Sequence, residues 1–220
     1  WALRSPFLSV EEVSISGAAR SHPGAVLSSL GMGEGTPLIS VDTVRLAAAM
    51  EEDPWVAEAE VSRDWPRRLV VSVTERAPVA WVETAGGWVH VAADGVVLET
   101  GSPGEGDPIL AVPALAADAL GEDPAATGAL EFLDSLRDDL AGGASVAVVG
   151  EELQAQVGDV EVRLGRPVEM QQKARALAGV MDAGVEPGSV ITLIAPTRPA
   201  VLAPGESTVT TTTTTAGTEG

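Results

Sequence analysis

The spacing of hydrophobic positions in the first eighty residues changes from a period of two to a helical period and back again. Val13 and Ile15 alternate with serines, which predicts a strand over residues 10–17. A short helix is then expected from an N-cap at Ser21 to Leu30, followed by a glycine-rich breaker. The opening of the chain is therefore predicted to run from strand to helix.

A second helix is predicted to begin after Asp42, whose carboxylate can accept hydrogen bonds from the free amides of the first turn. Pro54 ends this helix, because proline cannot continue it and restricts the residue before it. The apolar stripe of the helix has helical spacing and consists of Thr43, Leu46, Ala47 and Met50.

Two alternating strands follow, joined by a predicted turn at residues 64–67. One face of the first strand is expected to carry Trp55, Ala57, Ala59 and Val61, and the same face of the second Leu69, Val71 and Val73. Two helices packed on one face of a three-stranded sheet accommodate this order of elements.

The rest of the chain is predicted to be rich in strands, with two further helices. A hairpin is expected over residues 79–91, a tight turn at 94–95, and a loop over 101–113. Helices are predicted over 124–140 and 168–183, with strands over 145–149, 153–157, 160–164 and 190–195. No hydrophobic period remains after about residue 205, so the Thr-rich end is predicted to be disordered.

The net charge of −19 and the absence of cysteine narrow the possible functions. A strongly acidic surface repels phosphates, which argues against nucleic acid as a partner. Without cysteine the chain has neither disulfides nor thiolate metal sites, and two histidines are too few for most zinc sites. We predict no metal, no cofactor and no catalytic residue, because neighbouring acidic pairs point apart and neither histidine lies in a nucleophile motif such as GxSxG.

Two groups of side chains leave alternatives open. Trp55 and Trp65 are expected on one strand face, as part of the core or as partner contacts. Four arginines gather in this acidic chain, either as salt-bridge partners or as a basic patch that faces anionic lipid heads. They are Arg63, Arg67, Arg68 and Arg76.

The last predicted strand, residues 190–195, is apolar and β-branched, and no further strand is expected after it. If it lies at a sheet edge, its free N–H and C=O groups can template a partner strand, which is a common recognition mode. Pro196 and Pro199 can equally protect this edge from unwanted pairing.

An ordered set of motifs resembles the POTRA module, and most closely that of the FtsQ (DivIB) family of cell-division proteins. The matching residues are Gly17, Gly35-Thr36-Pro37-Leu38, Val41-Asp42, Pro54-Trp55-Val56, Ala59, Val61, Trp65-Pro66, Leu69, Val73, Glu75-Arg76 and Pro78-Val79-Ala80. Motifs around Gly87-Trp88 and Asp94-Gly95, and over residues 158–165, are similar to the β domain of the same family.

The resemblance implies an α+β fold: a POTRA-like β-α-α-β-β module over residues 9–77, then a mostly antiparallel β domain with two helices over 78–204. Residues 1–8 would be membrane-proximal, with Trp1 and Phe7 near the interface, and residues 205–220 a disordered tail. A membrane helix is expected upstream of Trp1, in a single-pass type II arrangement that places this chain outside the membrane at the division septum.

The function implied by the resemblance is a non-enzymatic divisome scaffold that binds FtsB- and FtsL-type partners and helps to regulate septal peptidoglycan synthesis. The alternative is a POTRA-bearing assembly module for exported or outer-membrane proteins. In FtsQ proteins the last strand and the segment after it receive FtsB. Carried over to this chain, the partner-binding residues are Ile191, Thr192, Leu193, Ile194, Ala195, Pro196, Thr197, Arg198, Pro199, Ala200, Val201 and Leu202.

Overall fold

The computed structural model describes residues 8–112 and 115–205. The N-terminal part of the chain forms a three-stranded sheet in which β3 lies in the middle, parallel to β1 and antiparallel to β2. Its elements in chain order are β1 (Glu12–Ser16), α1 (Pro23–Ser29), α2 (Thr43–Met50), β2 (Val56–Asp64) and β3 (Arg68–Glu75), with a 3₁₀ turn at Leu38–Ser40 before α2.

The helix starts differ from each other in how they are capped. Asp42 caps α2 as predicted, and its carboxylate accepts a hydrogen bond of 3.1 Å from the amide of Arg45. The predicted Ser21 cap of α1 is wrong. His22 occupies the cap position without a side-chain hydrogen bond, and Ser21 donates instead to the carboxylate of Glu75.

The core of this first sheet follows the predicted period except at one end of β2. Leu46 and Met50 of α2 are buried against the sheet, as are the alternating residues of β3. Val56, and not Trp55 or Ala57, is buried at the start of β2. A β-bulge between Val56 and Glu58 shifts the pairing there, and one extra residue reverses which side chains face the core.

The second part of the chain forms a nine-stranded sheet with the strand order β12-β11-β10-β9-β8-β7-β4-β5-β6. Its strands are β4 (Pro78–Thr84), β5 (Gly87–Ala92), β6 (Val97–Gly101), β7 (Ile109–Ala111), β8 (Ser145–Val149), β9 (Glu152–Val157), β10 (Val160–Gly165), β11 (Val190–Thr192) and β12 (Ala200–Leu202). Most neighbours are antiparallel, while β7 runs parallel to β4 and β8, and β11 runs parallel to β10.

Helices α3 (Pro124–Asp134), α4 (Asp138–Ala141) and α5 (Met170–Asp182) complete this second part, together with a 3₁₀ turn at Ala117–Ala119. One core contains the buried faces of α3, α5 and the sheet. The apolar face predicted for residues 124–140 is buried as expected, although the helix breaks between Asp134 and Asp138. The predicted loop 101–113 is wrong in part, because β7 inserts between β4 and β8.

The predicted α+β fold class is confirmed, although the helix expected over residues 124–140 is divided into α3 and the short α4. In the described ranges no helix is long and apolar enough to cross a bilayer. The expectations for Trp1 and Phe7, and for the Thr-rich segment after Gly205, fall outside the described residues.

Candidate partner-binding edge of the large sheet

The predicted binding residues form a hairpin at one edge of the nine-stranded sheet. Residues 190–192 form β11, residues 193–199 form an irregular connection, and residues 200–202 form β12. The prediction that no strand follows the last one is wrong, because β12 pairs with the outer side of β11. The edge strand is therefore β12, and the docking prediction, which rests on an unpaired edge, moves outward by one strand.

Register determines which face each residue of the hairpin occupies. Ile191 pairs with Val201 across the hairpin, and paired residues point to the same face of a sheet. Ile191 is fully buried, whereas Val201 is 49% exposed on β12, the outermost strand of the sheet in the part of the chain that the structure describes. The buried apolar face of the sheet thus continues to its edge at Val201, where solvent reaches it.

An apolar groove of about 500 Å³ runs between β12 and the C-terminal half of α5. Small and branched residues of α5 form one wall, and the hairpin forms the other through Pro196, Pro199 and Val201. The residues contributed by α5 are Ala176, Gly179 and Val180, and Ala183 follows at the C-cap of the helix. The groove therefore presents apolar side chains next to an edge strand, which is what an added strand with one large apolar side chain needs.

Ile194 lies on the connection between β11 and β12 and does not line this groove. Its side chain is 60% exposed and packs at Gly165, where an added Cβ would lie 3.1 Å from the Cγ1 of Ile194. Gly165 also has a positive φ of 66°, so both the conformation and the contact with Ile194 favour glycine at the end of β10. Leu193, by contrast, is buried in the core.

Lys173 anchors the turn that lies beneath Ile194. Its ammonium donates to the main-chain carbonyls of Leu164 at 2.7 Å and Arg166 at 2.8 Å. The side chain is only 1% exposed, and burial lowers the pKa of Lys173. The sequence indicated Lys173 only as part of the helix whose surroundings resemble the FtsQ β domain, without a structural role for its ammonium. The spacing in the sequence could have indicated its burial. Lys173 lies three residues after Met170 and four before Leu177, which places it on the buried face of an amphipathic helix.

The tryptophan predictions have different outcomes. Trp65 is 51% exposed at the turn between β2 and β3, so the core interpretation is wrong for this residue. Trp55 is half-buried, and the guanidinium of Arg20 lies 4.4 Å from the centre of its ring. Trp55 and Trp65 lie just before and just after β2, and neither side chain belongs to the buried core of the sheet.

The four arginines bind neighbouring acceptors, as the salt-bridge interpretation predicts for most of them. Arg67 pairs with Glu11, Arg68 with Glu12, and Arg76 with Asp94. Arg63 instead donates to the main-chain carbonyls of Leu38 and Val41, at 3.0 and 2.6 Å. These contacts do not leave the four guanidinium groups as an unpaired patch for lipid heads.

The candidates for chemistry lie apart from one another. The ring of His90 stacks on Trp81 with centroids 4.4 Å apart, and its Nδ1 lies 3.2 Å from a carboxylate oxygen of Glu99. Glu11 and Glu12 pair with different arginines. Within residues 8–112 and 115–205, no cluster of histidine and carboxylate side chains has the arrangement needed to hold a metal ion.

Together, a β-α-α-β-β module and a larger β-rich part with an apolar edge define a class of protein built from a POTRA-type docking module and a second sheet. A family model described as "POTRA domain, FtsQ-type" matches residues 8–76. The cell division protein FtsQ of Myxococcus fulvus is 30% identical over 214 residues, covering 86% of this chain and 75% of the relative. FtsQ of Streptomyces collinus is 31% identical over 191 residues, covering 81% and 72%. The chain belongs to the FtsQ family of cell division proteins.

Two further comparisons differ in coverage. FtsQ of Mycolicibacterium smegmatis is 32% identical over 206 residues, and the match covers 90% of this chain but 58% of the relative. The extracytoplasmic domain of the cell division protein DivIB from Geobacillus stearothermophilus has a TM-score of 0.35 and 17% identity, covering 51% of this chain and 99% of that domain. The family assignment rests on the sequence relatives and not on this structural likeness.

Proposed function

We propose that this chain is a non-enzymatic scaffold of the division machinery that receives a strand from an FtsB-type partner at β12. The observation that supports the proposal most strongly is the juxtaposition of an edge strand with the apolar groove beside α5. Such a site offers main-chain hydrogen bonds and apolar contacts, which recognise a strand and perform no acid–base chemistry.

Strand addition at β12 would extend the sheet outward by one more strand. Among residues 8–112 and 115–205, no strand lies on the outer side of β12, so its main-chain groups there are open to a partner backbone. Because β12 is only three residues long, few ladder hydrogen bonds are possible, and side-chain burial in the groove must supply much of the affinity. Val201 is the central contact in this arrangement.

The proposal includes the organisation of the whole protein. A POTRA-like module over residues 9–77 and a β domain over 78–204 would lie outside the membrane, held at the division septum by a helix upstream of Trp1. FtsL-type proteins would join through the FtsB-type partner, and the assembly would help to regulate septal wall synthesis. Family membership favours this role over the alternative of an assembly module for outer-membrane proteins.

The test is binding of the purified chain to a peptide from the C-terminal part of an FtsB-type protein, measured by calorimetry. Val201→Asp places a carboxylate in the apolar groove and is expected to weaken binding at least about tenfold, which corresponds to about 1.4 kcal/mol. The matched control is Val44→Asp, which changes an equally apolar, 78% exposed residue on α2 and should leave binding unchanged. Circular dichroism verifies that both variants fold.

A third variant, Ile194→Asp, separates the groove from the connection after β11. Weaker binding in Val201→Asp alone locates the partner in the groove, while weaker binding in both extends the site over the turn at Gly165. Equal binding by the parent chain and Val201→Asp would contradict docking at β12. A parent chain that binds no FtsB-type peptide would contradict the proposed partner.

A further inference from the structure

The two parts of the chain have separate hydrophobic cores and a very short connection. One core contains buried residues from Val10 to Val73, and the other contains buried residues from Val79 to Leu193. Between the end of β3 at Glu75 and the start of β4 at Pro78 lie only Arg76 and Ala77. A shared apolar core is therefore not what sets the angle between the two sheets, and without one, relative motion is the default expectation.

Arg76 contacts both sides of this connection. Its amide donates to the carbonyl of Trp55 at 2.8 Å. Its Nη1 donates to the carbonyls of Pro54 at 3.0 Å and Val56 at 2.5 Å, at the start of β2. Its Nε donates to Oδ2 of Asp94 at 2.8 Å, in the turn between β5 and β6. One guanidinium thus joins the first sheet to the second.

The turn that carries Asp94 is itself held firmly within the second part of the chain. The other carboxylate oxygen of Asp94 accepts from the amide of Val96 at 3.3 Å, and Gly95 donates to Ala92 at 2.9 Å. Gly95 lies so close to Gly121 that an added Cβ would be 2.5 Å from the Cα of Gly121. Asp94 is therefore a fixed acceptor on the large sheet, and not the end of a mobile loop.

We propose that the Arg76–Asp94 pair is a latch that holds the POTRA-type module at one angle to the large sheet. The side chain of Arg76 is only 19% exposed, and its two carbonyl bonds orient it before it reaches Asp94. This preorganisation lowers the entropic cost that makes most exposed ion pairs ineffective. Opening the latch leaves both cores intact and frees rotation about residues 76–77.

The latch controls where the β12 edge lies relative to the first module. The angle at Arg76 determines the direction in which the large sheet leaves that module, and β12 is at one end of the large sheet. This inference does not depend on what binds at β12. It concerns the geometry of the chain alone. The latch can therefore be disproved while partner binding at β12 is supported, and partner binding can be disproved while the latch is supported.

The test is a distance distribution between two spin labels, measured by pulsed electron spin resonance on the whole chain. Val44→Cys on α2 and Val149→Cys on β8 place one label on each part, at side chains that are 78% and 52% exposed. The chain has no native cysteine, so both labels are unique. With the latch closed we expect a single narrow maximum.

Asp94→Asn removes the charge but keeps an oxygen that can accept from Val96, so the turn should survive. We expect this variant to lose the narrow maximum and give a broad distribution. The matched control is Asp182→Asn, which breaks an exposed pair with Arg137 inside the second part and should leave the distribution unchanged. An unchanged narrow distribution in Asp94→Asn would overturn the latch.

Salt provides a second measurement that needs no change at the latch. Asp94 is half-exposed, so about 1 M salt, with a Debye length of about 3 Å, should screen the pair. At this salt concentration, the distance distribution of the doubly labelled chain that keeps Asp94 is expected to broaden and to approach that of Asp94→Asn. A narrow distribution at both low and high salt would show that other contacts fix the angle.

Discussion

The carboxylate of Glu75 holds the segment between β1 and α1, and its removal should destabilise the POTRA-type module selectively. It accepts hydrogen bonds from the amides of Ala19 at 2.9 Å, Arg20 at 2.9 Å and Ser21 at 2.7 Å, and from the hydroxyl of Ser21 at 2.5 Å. One side chain at the end of β3 thus satisfies a run of successive donors before the helix begins.

The magnitude follows from these bonds. A hydrogen bond to a charged group contributes about 1.5–3 kcal/mol, but the segment is partly exposed and water can replace some of the bonds when the charge is lost. We expect Glu75→Gln to lower the free energy of unfolding of this module by about 3 kcal/mol in total. Each 1.4 kcal/mol is a factor of ten, so local opening should become about 100-fold more frequent.

Hydrogen exchange followed by mass spectrometry measures this effect in each part of the chain separately. Peptides from residues 8–76 should lose protection in Glu75→Gln, while peptides from the large sheet serve as an internal reference. The matched control is Glu12→Gln, which removes a 60% exposed carboxylate from its pair with Arg68 and should cost at most about 1 kcal/mol. Equal protection in Glu75→Gln and Glu12→Gln would refute the reasoning.

The same bonds predict a pH dependence with a definite sign. The hydroxyl of Ser21, then its amide and those of Arg20 and Ala19, lower the pKa of Glu75 from 4.5 to about 2. Because the pKa is lower in the folded state, the stabilisation is complete above about pH 4.5 and is lost as the pH falls towards 2. The difference in urea midpoint between the parent chain and Glu75→Gln should shrink over this range, and a constant difference would contradict the assignment.

Two further changes test other parts of the fold. Gly17→Ala would place a Cβ 1.9 Å from the carbonyl oxygen of Val73, at a φ of 81°, and should lower the free energy of unfolding in urea by at least about 3 kcal/mol. The control Gly31→Ala has a similar φ of 66° but nothing within 4 Å of the added Cβ, and should lower it by only about 1 kcal/mol. Lys173→Met leaves two carbonyls without a donor and should cost about 1–3 kcal/mol. Burial lowers the pKa of Lys173, so the folded chain loses this proton at a lower pH than the unfolded chain does, and the stability of the parent chain should rise as the pH approaches 10.5. Lys173→Met has no proton to lose here, and a rise of the same size in this variant would contradict the assignment.

Local sequence patterns determined most of the secondary structure and the family. Three features depend only on residues a few positions apart, so the local sequence is enough to predict them: the alternation in β3, the cap at Asp42 and the buried face of α3. The ordered motifs from Gly17 to Ala80 indicated the FtsQ family, which the relatives confirm. These features are encoded within single elements or single turns.

Contacts between distant residues decided what the sequence pattern could not. The bulge after Val56 depends on the register with β3, and it moved Trp55 out of the core face. β7 is only three residues long, too short for a period, and it becomes a strand because β4 and β8 lie on either side of it. A short strand is stable only when its neighbours complete the ladder, and that information lies elsewhere in the chain.

The candidate site shows the same division. Its place near the C-terminal end of the chain came from the apolar residues 190–195 and from the family resemblance, while the edge itself moved from β11 to β12. Three residues after two prolines carry too weak a pattern to predict a strand. The groove at Val201 and the latch at Arg76 join residues far apart in sequence, so only packing in three dimensions, where burial and register are set, could bring their atoms together.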